Sequence, residues 1–232
     1  MRGPIRCPKC NKEIVLLHGV YCPYCGYDYS EWLMLPSRDA RVINENETDY
    51  SGNAFITYHD GRVYNGDVFE GIPDGAGVMK LLDGRIISAL WLDGEPLESM
   101  IVYMPNGSRY VGKLFYGMRH GNGLAYFPDG SYYDGMFIKD HITGKGTLFI
   151  SNGDSYEGDF LNGEFDGVGV YRNRNKVYAG KFKRNVFTET GTIIFDTAKL
   201  YVFVRRSELR RTKVRLNEAS SFFCQNKYPS FF

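Results

Sequence analysis

Four of the five cysteines in this 232-residue sequence stand in two Cys-x-x-Cys pairs, a spacing that could hold a metal ion. The first pair is Cys7 with Cys10, the second is Cys22 with Cys25, and eleven residues separate the pairs. A Cys-x-x-Cys turn lets both thiolates converge on one ion, and two such turns supply the four tetrahedral ligands that zinc prefers. We therefore predict one zinc ion bound by Cys7, Cys10, Cys22 and Cys25.

Two disulfides are the alternative use of these cysteines, and they would require an oxidising compartment. The N-terminus carries positive charges but no apolar segment behind them, so no secretory signal is expected and an intracellular zinc site is favoured. Residues 5–30 resemble a zinc ribbon. Four thiolates leave no open coordination position, so the site is expected to be structural. So short a segment cannot bury a sufficient core, and the metal would supply folding free energy.

The composition favours a β-rich protein. The chain has 27 glycines and 16% aromatic residues, both above average usage. Disordered segments are poor in aromatics, and a glycine inside a helix costs about 1 kcal/mol relative to alanine. Lys and Arg number 28 against 27 Asp and Glu, so no global field recruits nucleic acid or anionic lipid. We expect a soluble, cytoplasmic, all-β protein, either free or associated with the cytoskeleton or with a large complex.

A repeat of 23 residues organises most of the chain. Pairs of Asp or Asn with Gly recur at this interval, and three residues after each Gly a strand-like pattern begins. One example is Tyr156-Glu-Gly-Asp-Phe160, which alternates as a half-buried strand does. The glycine between the two aromatics leaves room for a neighbouring strand. The six copies begin at Tyr64, Ile87, Tyr110, Tyr133, Tyr156 and Tyr178.

Each copy is expected to form one β-hairpin. The eighth position of every copy is a residue that tolerates positive φ, which indicates a tight turn. A Gly-x-Gly sequence then opens a second strand, which ends at an Asp-Gly or Asn-Gly turn. The residues at the eighth position are Gly71, Gly94, Gly117, Asp140, Gly163 and Asn185.

This pattern resembles the MORN repeat, and residues 110–132 run close to that family's consensus. The copy at Ile87 departs from it, because Glu98 and Met100 replace both glycines of Gly-x-Gly. In the family, such hairpins form one long, twisted antiparallel sheet with a shallow aromatic-lined groove. The resemblance implies an elongated single antiparallel sheet. The expected organisation is a zinc ribbon (1–35), a linker (36–50), the repeat array (51–205) and a basic, aromatic tail (206–232).

The basic stretch near the C-terminus allows several interpretations. Residues 199–216 carry seven Lys or Arg against one Glu, so nucleic acid or an anionic membrane could bind there. Leu209, Leu216 and Phe223 recur every seven residues, which instead favours the solvated face of a short helix. The aromatic residues of 221–232 favour packing on the sheet or on a partner.

Motifs for catalysis are absent from the sequence. No Gly-x-Gly continues to the third glycine of a dinucleotide-binding fingerprint, and Gly-x-Ser-x-Gly does not occur. We therefore expect no enzyme and no small-molecule substrate. The structural zinc ion is the one cofactor expected.

The favoured function is a scaffold or assembly subunit that binds an extended helix or strand of a protein partner. Aromatic residues are enriched at binding hot spots, and the repeat places several of them on one face. The same side chains could instead be ordinary sheet core. Nucleic-acid binding through the zinc ribbon and tail, and membrane attachment through the tail, are the alternatives. The candidate partner-binding residues are Tyr110, Tyr133, Phe137, Tyr156 and Phe160.

Overall fold

The computed structural model describes residues 5–6, 13–14, 34–36, 39–97, 99–195 and 200–204, with side chains for the parts within 34–188. All regular secondary structure in these ranges is β-strand, which confirms the all-β prediction. They contain no helix that is long and apolar enough to cross a membrane. The four cysteines of the predicted zinc site and the tail after residue 204 lie outside the described residues. The chain divides into two units, Met1–Gly112 and Lys113–Phe232.

The first unit begins with a small two-stranded sheet, in which Ile5 pairs with Ile14 and Arg6 with Glu13. Its main sheet starts with a strand inside the segment expected to be a linker, and that strand pairs in parallel with the next one. The later strands pair antiparallel in chain order, except that the strand Ile86–Leu92 pairs with both the short strand Glu95–Pro96 and the strand Met100–Tyr103. The strands are β1 (Ile5–Arg6), β2 (Glu13–Ile14), β3 (Arg41–Asn44), β4 (Gly52–Thr57), β5 (Val63–Phe69), β6 (Ile72–Lys80), β7 (Ile86–Leu92), β8 (Glu95–Pro96), β9 (Met100–Tyr103) and β10 (Arg109–Phe115), which spans the unit boundary.

The second unit is a run of antiparallel hairpins, each strand pairing with the next in the chain. The final pairing places Tyr201 opposite Ile194, which repeats the pairing of Tyr178 with Tyr171 after 23 residues. The antiparallel hairpin array is thereby confirmed. The strands are β11 (Met118–Tyr126), β12 (Tyr132–Ile138), β13 (His141–Phe149), β14 (Ser155–Leu161), β15 (Glu164–Arg172), β16 (Lys176–Lys183), β17 (Val186–Phe195) and β18 (Leu200–Val204).

The divergent copy at Ile87 has an interrupted second strand. Other copies have one continuous strand of nine residues here, such as β6 and β13, whereas this copy has the short β8 and β9. In β13 the first glycine of Gly-x-Gly, Gly144, takes a φ of 70° at a β-bulge. The replacement of both glycines in the Ile87 copy removes the residue type that adopts this conformation without strain.

The turn within each hairpin has two residues at positive φ, the geometry that suits the right-handed twist of paired strands. Asn162 and Gly163 have φ values of 51° and 81°. The main-chain N–H of Gly163 also donates a 2.8 Å hydrogen bond to the carbonyl of Ile142, where the preceding hairpin begins its second strand. Asp140 and Asn185 make the same bond to Arg119 and Phe165. These main-chain hydrogen bonds therefore connect successive hairpin turns along one end of the strands.

The core of the second unit lies on one sheet face, which we call the inner face. Tyr133 and Phe137 of β12 and Tyr156 and Phe160 of β14 point to it, and each is buried. Phe165 joins them, with its ring stacked on Tyr156 at a centroid distance of 3.7 Å. Side chains alternate along a strand, so the residues between these aromatics point to the opposite face, the outer face.

Candidate partner-binding surface

The five aromatics selected from the sequence lie in the interior of the protein. In the second unit they contact one another: the ring of Tyr133 meets Phe160 edge-on at 5.1 Å, and Tyr156 meets Phe160 in the same way. The assignment of these residues to partner binding stays a prediction, because their surface is covered in the folded chain. Their exposed fractions are 1% for Tyr110, 0% for Tyr133, Phe137 and Tyr156, and 3% for Phe160.

The first tyrosine of a copy is buried because its ring lies along its own strand. The hydroxyl of Tyr156 donates a 3.0 Å hydrogen bond to the carbonyl of Asp159, three residues later. Tyr64 and Tyr133 make the same bond, at 2.8 and 3.3 Å. A register shift between Gly158 and Phe160 marks a bulge at this point of the ladder. The phenol is therefore satisfied within the core, as a buried polar group must be.

The ring of Tyr156 occupies the space above a pair of facing glycines. Gly158 and Gly169 are directly opposite in the ladder, and a Cβ on Gly169 would lie 2.5 Å from Cζ of Tyr156. The second glycine of Gly-x-Gly is thus required because the tyrosine ring lies over it. The sequence predicted a close approach of the neighbouring strand at Gly158, the glycine between the two aromatics, but not the approach of the copy's own tyrosine to Gly169.

Burial raises the pKa of the Tyr156 and Tyr133 hydroxyls, mainly because a phenolate would lose its hydration. The pKa of Tyr64 is raised for the same reason in the first unit. These phenols therefore stay protonated at neutral pH and act as hydrogen-bond donors to the main chain. They contribute rigidity to the sheet.

The outer face of the second unit carries a row of exposed apolar residues that the sequence analysis missed. Phe115, Ile138 and Leu161 each occupy the sixth position of a copy, and they are 46%, 46% and 49% exposed. We call these three residues the apolar row. Phe69 and Leu92 hold the same position in the first unit and are also exposed. The sequence does contain an indication of this row, because apolar residues recur every 23 residues at the sixth position of a copy, which does not belong to the inner face.

The apolar row continues into the neighbouring turn at Tyr116. Its side chain is 86% exposed, and its φ of 50° is uncommon for an aromatic residue. Its ring meets Phe115 edge-on at a centroid distance of 4.5 Å, and the ring of His120 lies 5.4 Å from that of Phe115. The turn therefore presents a small aromatic cluster to solvent at one end of the row.

An ion pair between a buried arginine and an exposed aspartate holds the turn that follows Ile138. Arg119 is 8% exposed, and its Nε donates a 2.9 Å hydrogen bond to Oδ1 of Asp140. Its Nη2 bonds the carbonyl of the same residue, and its guanidinium lies 4.9 Å from the ring centre of Phe137. A side chain from the preceding strand thus fixes the position of the turn beside the row.

An open polar depression of about 440 Å³ lies among the opposite turns of the second unit. Asp154 is on its wall and accepts a hydrogen bond from the hydroxyl of Tyr171. Asn152 also donates to this carboxylate. Within the described ranges, no group of three or more His, Cys, Asp or Glu residues is arranged to hold a metal ion. The carboxylate in this depression is used to join two adjacent hairpins.

Solved structures that are similar to this chain include two domains. The first is the SAS-4 (dCPAP) TCP domain of Drosophila melanogaster, in complex with a Proline Rich Motif of Ana2 (dSTIL). It is 12% identical, with a TM-score of 0.43, covering 73% of this chain and 97% of that chain. The second is the TCP10 domain of Danio rerio CPAP, in complex with a peptide of Danio rerio STIL. It is 9% identical, with a TM-score of 0.28, covering 61% and 77%. Both scores are low, and the likeness carries no inference about partners.

Comparison with curated proteins found no match. Comparison with family models found three consecutive matches to the model described as MORN repeat, at residues 110–132, 133–155 and 156–176. The matched segments begin at the three tyrosines that open the third, fourth and fifth copies of the 23-residue unit. Residues 110–176 of this chain therefore carry three tandem MORN repeats.

Proposed function

We propose that this protein is a non-enzymatic scaffold or assembly subunit that binds a protein partner through its MORN-repeat sheet. The observation that supports this is the apolar row of Phe115, Ile138 and Leu161. Three large apolar side chains, each about half exposed and regularly spaced, form the kind of surface that gains free energy when a partner covers it. The buried aromatics Tyr110, Tyr133, Phe137, Tyr156 and Phe160 would support such a surface by keeping the sheet rigid.

The spacing of the row favours a helix as the bound element. Ile138 and Leu161 end strands β12 and β14, which are separated by β13 alone. Two strand spacings amount to about 10 Å, close to the rise of about 10.5 Å for seven residues of an α-helix. A helix laid across the strands would therefore place apolar residues at i, i+7 and i+14 over the row.

Affinity capture of the endogenous complex with cross-linking and mass spectrometry tests this function. The full chain is compared with the double variant Ile138→Asp/Leu161→Asp and with the matched control Val168→Asp. Val168 is also an exposed apolar residue of the second unit but lies outside the row. We expect one partner to cross-link beside the row, to be lost from the double variant and to remain with the control. A partner retained equally by all three proteins, or no specific partner, would contradict the proposal.

The proposal includes one structural zinc ion held by Cys7, Cys10, Cys22 and Cys25. The pairing of β1 with β2 supports it, because residues 7–12, which include the first Cys-x-x-Cys pair, connect two antiparallel strands. A short connection of this kind lets two thiolates face one ion. We place the protein in the cytoplasm, where a reducing environment keeps the four thiols available to zinc.

A further inference from the structure

In the first unit, part of the sheet face opposite to the buried Tyr64 is covered by residues that precede the sheet. Ile86 and Tyr103 are buried there, and Met34 packs against them together with Val78 and Ile101. Polar contact accompanies the apolar one: the side-chain amide of Asn65 donates a 2.8 Å hydrogen bond to the carbonyl of Leu35. Residues 34–36 of the same chain thus cover an apolar patch on this face of the sheet.

The second unit has a corresponding patch two repeats later. A shift of 46 residues carries Val78 to Leu124, Ile86 to Tyr132 and Tyr103 to Phe149. The rings of Tyr132 and Phe149 are stacked at 4.5 Å, and Tyr126 lies 5.9 Å from Tyr132. Phe149 is nevertheless 39% exposed, whereas its counterpart Tyr103 is buried. We call Leu124, Tyr126, Tyr132 and Phe149 the aromatic patch.

Acidic residues lie next to the aromatic patch on the same face. Asp134 and Glu157 are both exposed, and each is directly opposite Thr147 on the strand between them. Arg172 approaches Glu157 to 3.9 Å, but both side chains stay about half exposed or more. The outer face therefore offers an apolar surface beside two carboxylates.

The composition of residues 205–232 complements this surface. Six of the seven cationic residues of the basic stretch lie within 205–216, and five aromatic residues follow: Phe222, Phe223, Tyr228, Phe231 and Phe232. The chain enters this segment from Val204 at the end of β18, five strand steps from β13 in the sheet order. That separation is about 24 Å, while 28 extended residues reach up to about 90 Å.

We propose that residues 205–232 fold back over the outer face of the second unit. The aromatic residues of 222–232 cover the aromatic patch, and the basic residues of 205–216 lie beside Asp134 and Glu157. Charge complementarity favours this segment as the one that covers the patch, because its basic residues then lie beside carboxylates at the edge of the apolar surface. The tail thereby covers an apolar patch of the second unit, as residues 34–36 cover an apolar patch of the first unit.

Site-specific photo-cross-linking in the full chain tests the occupant directly. Phe149 is replaced by benzoylphenylalanine, another aromatic residue, and the cross-linked peptides are mapped by mass spectrometry. A mixture of isotope-labelled and unlabelled chains separates links within one chain from links between chains. We expect links from position 149 to residues 217–232 of the same chain, and none to that segment from the same probe at Leu161. Links to another copy of the chain, or to no part of the tail, would overturn the proposal.

The reactivity of Cys224 gives a second measurement that does not alter the patch. This cysteine lies between Phe223 and the remaining aromatics of the tail, so a docked tail slows its alkylation. We compare the full chain with Asp134→Lys/Glu157→Lys and with the control Glu164→Lys, and peptide mapping assigns the labelled cysteine. The double variant is expected to react about threefold faster or more, because the protected state becomes less populated, while the control does not. Equal rates in all three proteins would overturn the proposal.

Discussion

The hydroxyl of Tyr156 donates a 3.0 Å hydrogen bond to the main-chain carbonyl of Asp159, three residues further along β14. The bond holds the ring flat over the facing glycines Gly158 and Gly169. A buried tyrosine can thereby pack like phenylalanine and still satisfy its polar atom. The repeated unit uses this arrangement at Tyr64 and Tyr133 as well.

Substitution Tyr156→Phe removes this hydrogen bond but keeps the ring. The carbonyl of Asp159 loses its partner at the bulge, so we expect the free energy of unfolding to fall by about 1–2 kcal/mol in urea titrations. Tyr116→Phe is the control, since that side chain is 86% exposed, and it should change stability little. Equal effects of the two substitutions would show that the Tyr156 hydroxyl contributes nothing to stability.

Substitution Gly169→Ala places a methyl group against the ring of Tyr156. The added Cβ would lie 2.5 Å from Cζ of the ring, so we expect a loss of about 3 kcal/mol or more. Combining it with Tyr156→Ala removes the obstacle, and the extra cost of Gly169→Ala should then become small. A double-mutant cycle in denaturant measures this coupling. If the two substitutions lowered the free energy of unfolding additively, the ring of Tyr156 would not be the reason for glycine at position 169.

The buried phenols predict a loss of stability at alkaline pH. Burial raises the pKa of Tyr133 and Tyr156 above the ordinary value near 10, so the unfolded chain releases these protons first. The contribution of these tyrosines to the free energy of unfolding is fully present below about pH 10, and above that pH it falls by about 1.4 kcal/mol per pH unit for each tyrosine. Melting curves between pH 8 and about pH 11 check this trend. Tyr156→Phe should show a shallower decline, and an unchanged slope would exclude Tyr156 as a source.

The ion pair of Arg119 and Asp140, in which the guanidinium is nearly buried, is predicted to contribute more stability than the pair of Lys145 and Asp159, in which the ammonium is exposed. Asp140→Gly keeps a residue suited to positive φ but leaves a nearly buried guanidinium without its carboxylate, at a cost of about 2 kcal/mol. Lys145→Ala breaks the exposed pair with Asp159 and should cost about 0.5 kcal/mol or less. Denaturant titrations of both variants give the comparison. Similar losses in the free energy of unfolding for the two variants would contradict the prediction that burial of Arg119 strengthens its ion pair.

Removal of zinc is expected to affect the N-terminal residues and leave the hairpin array folded. One equivalent of zinc should be released by a thiol-modifying reagent and detected with a metallochromic dye. Cys22→Ser should lower the zinc content of the full chain while the β-sheet circular dichroism stays nearly unchanged. Metal-free wild-type protein with all four thiols reactive would contradict the predicted site.

Sequence periodicity was sufficient to predict the hairpins, because each turn and strand depends on nearby residues. The glycine, aspartate or asparagine at the eighth position of a copy adopts positive φ whatever its distant neighbours are, as Asp140 and Gly163 show. The interruption between β8 and β9 also follows locally from Glu98 and Met100. Strand β3 was not foreseen, because its four residues acquire strand geometry by pairing in parallel with β4.

The sequence by itself determined the 23-residue hairpin unit, the inner-face aromatics and the cysteine spacing, since these depend on local conformation and on residue type. The tertiary structure decided which aromatic residues reach solvent. Tyr103 and Phe149 hold the same position of the repeat, yet the first is 5% exposed and the second is 39% exposed. Burial is set by what neighbouring strands and segments place over each face, and a repeat pattern alone does not contain that information.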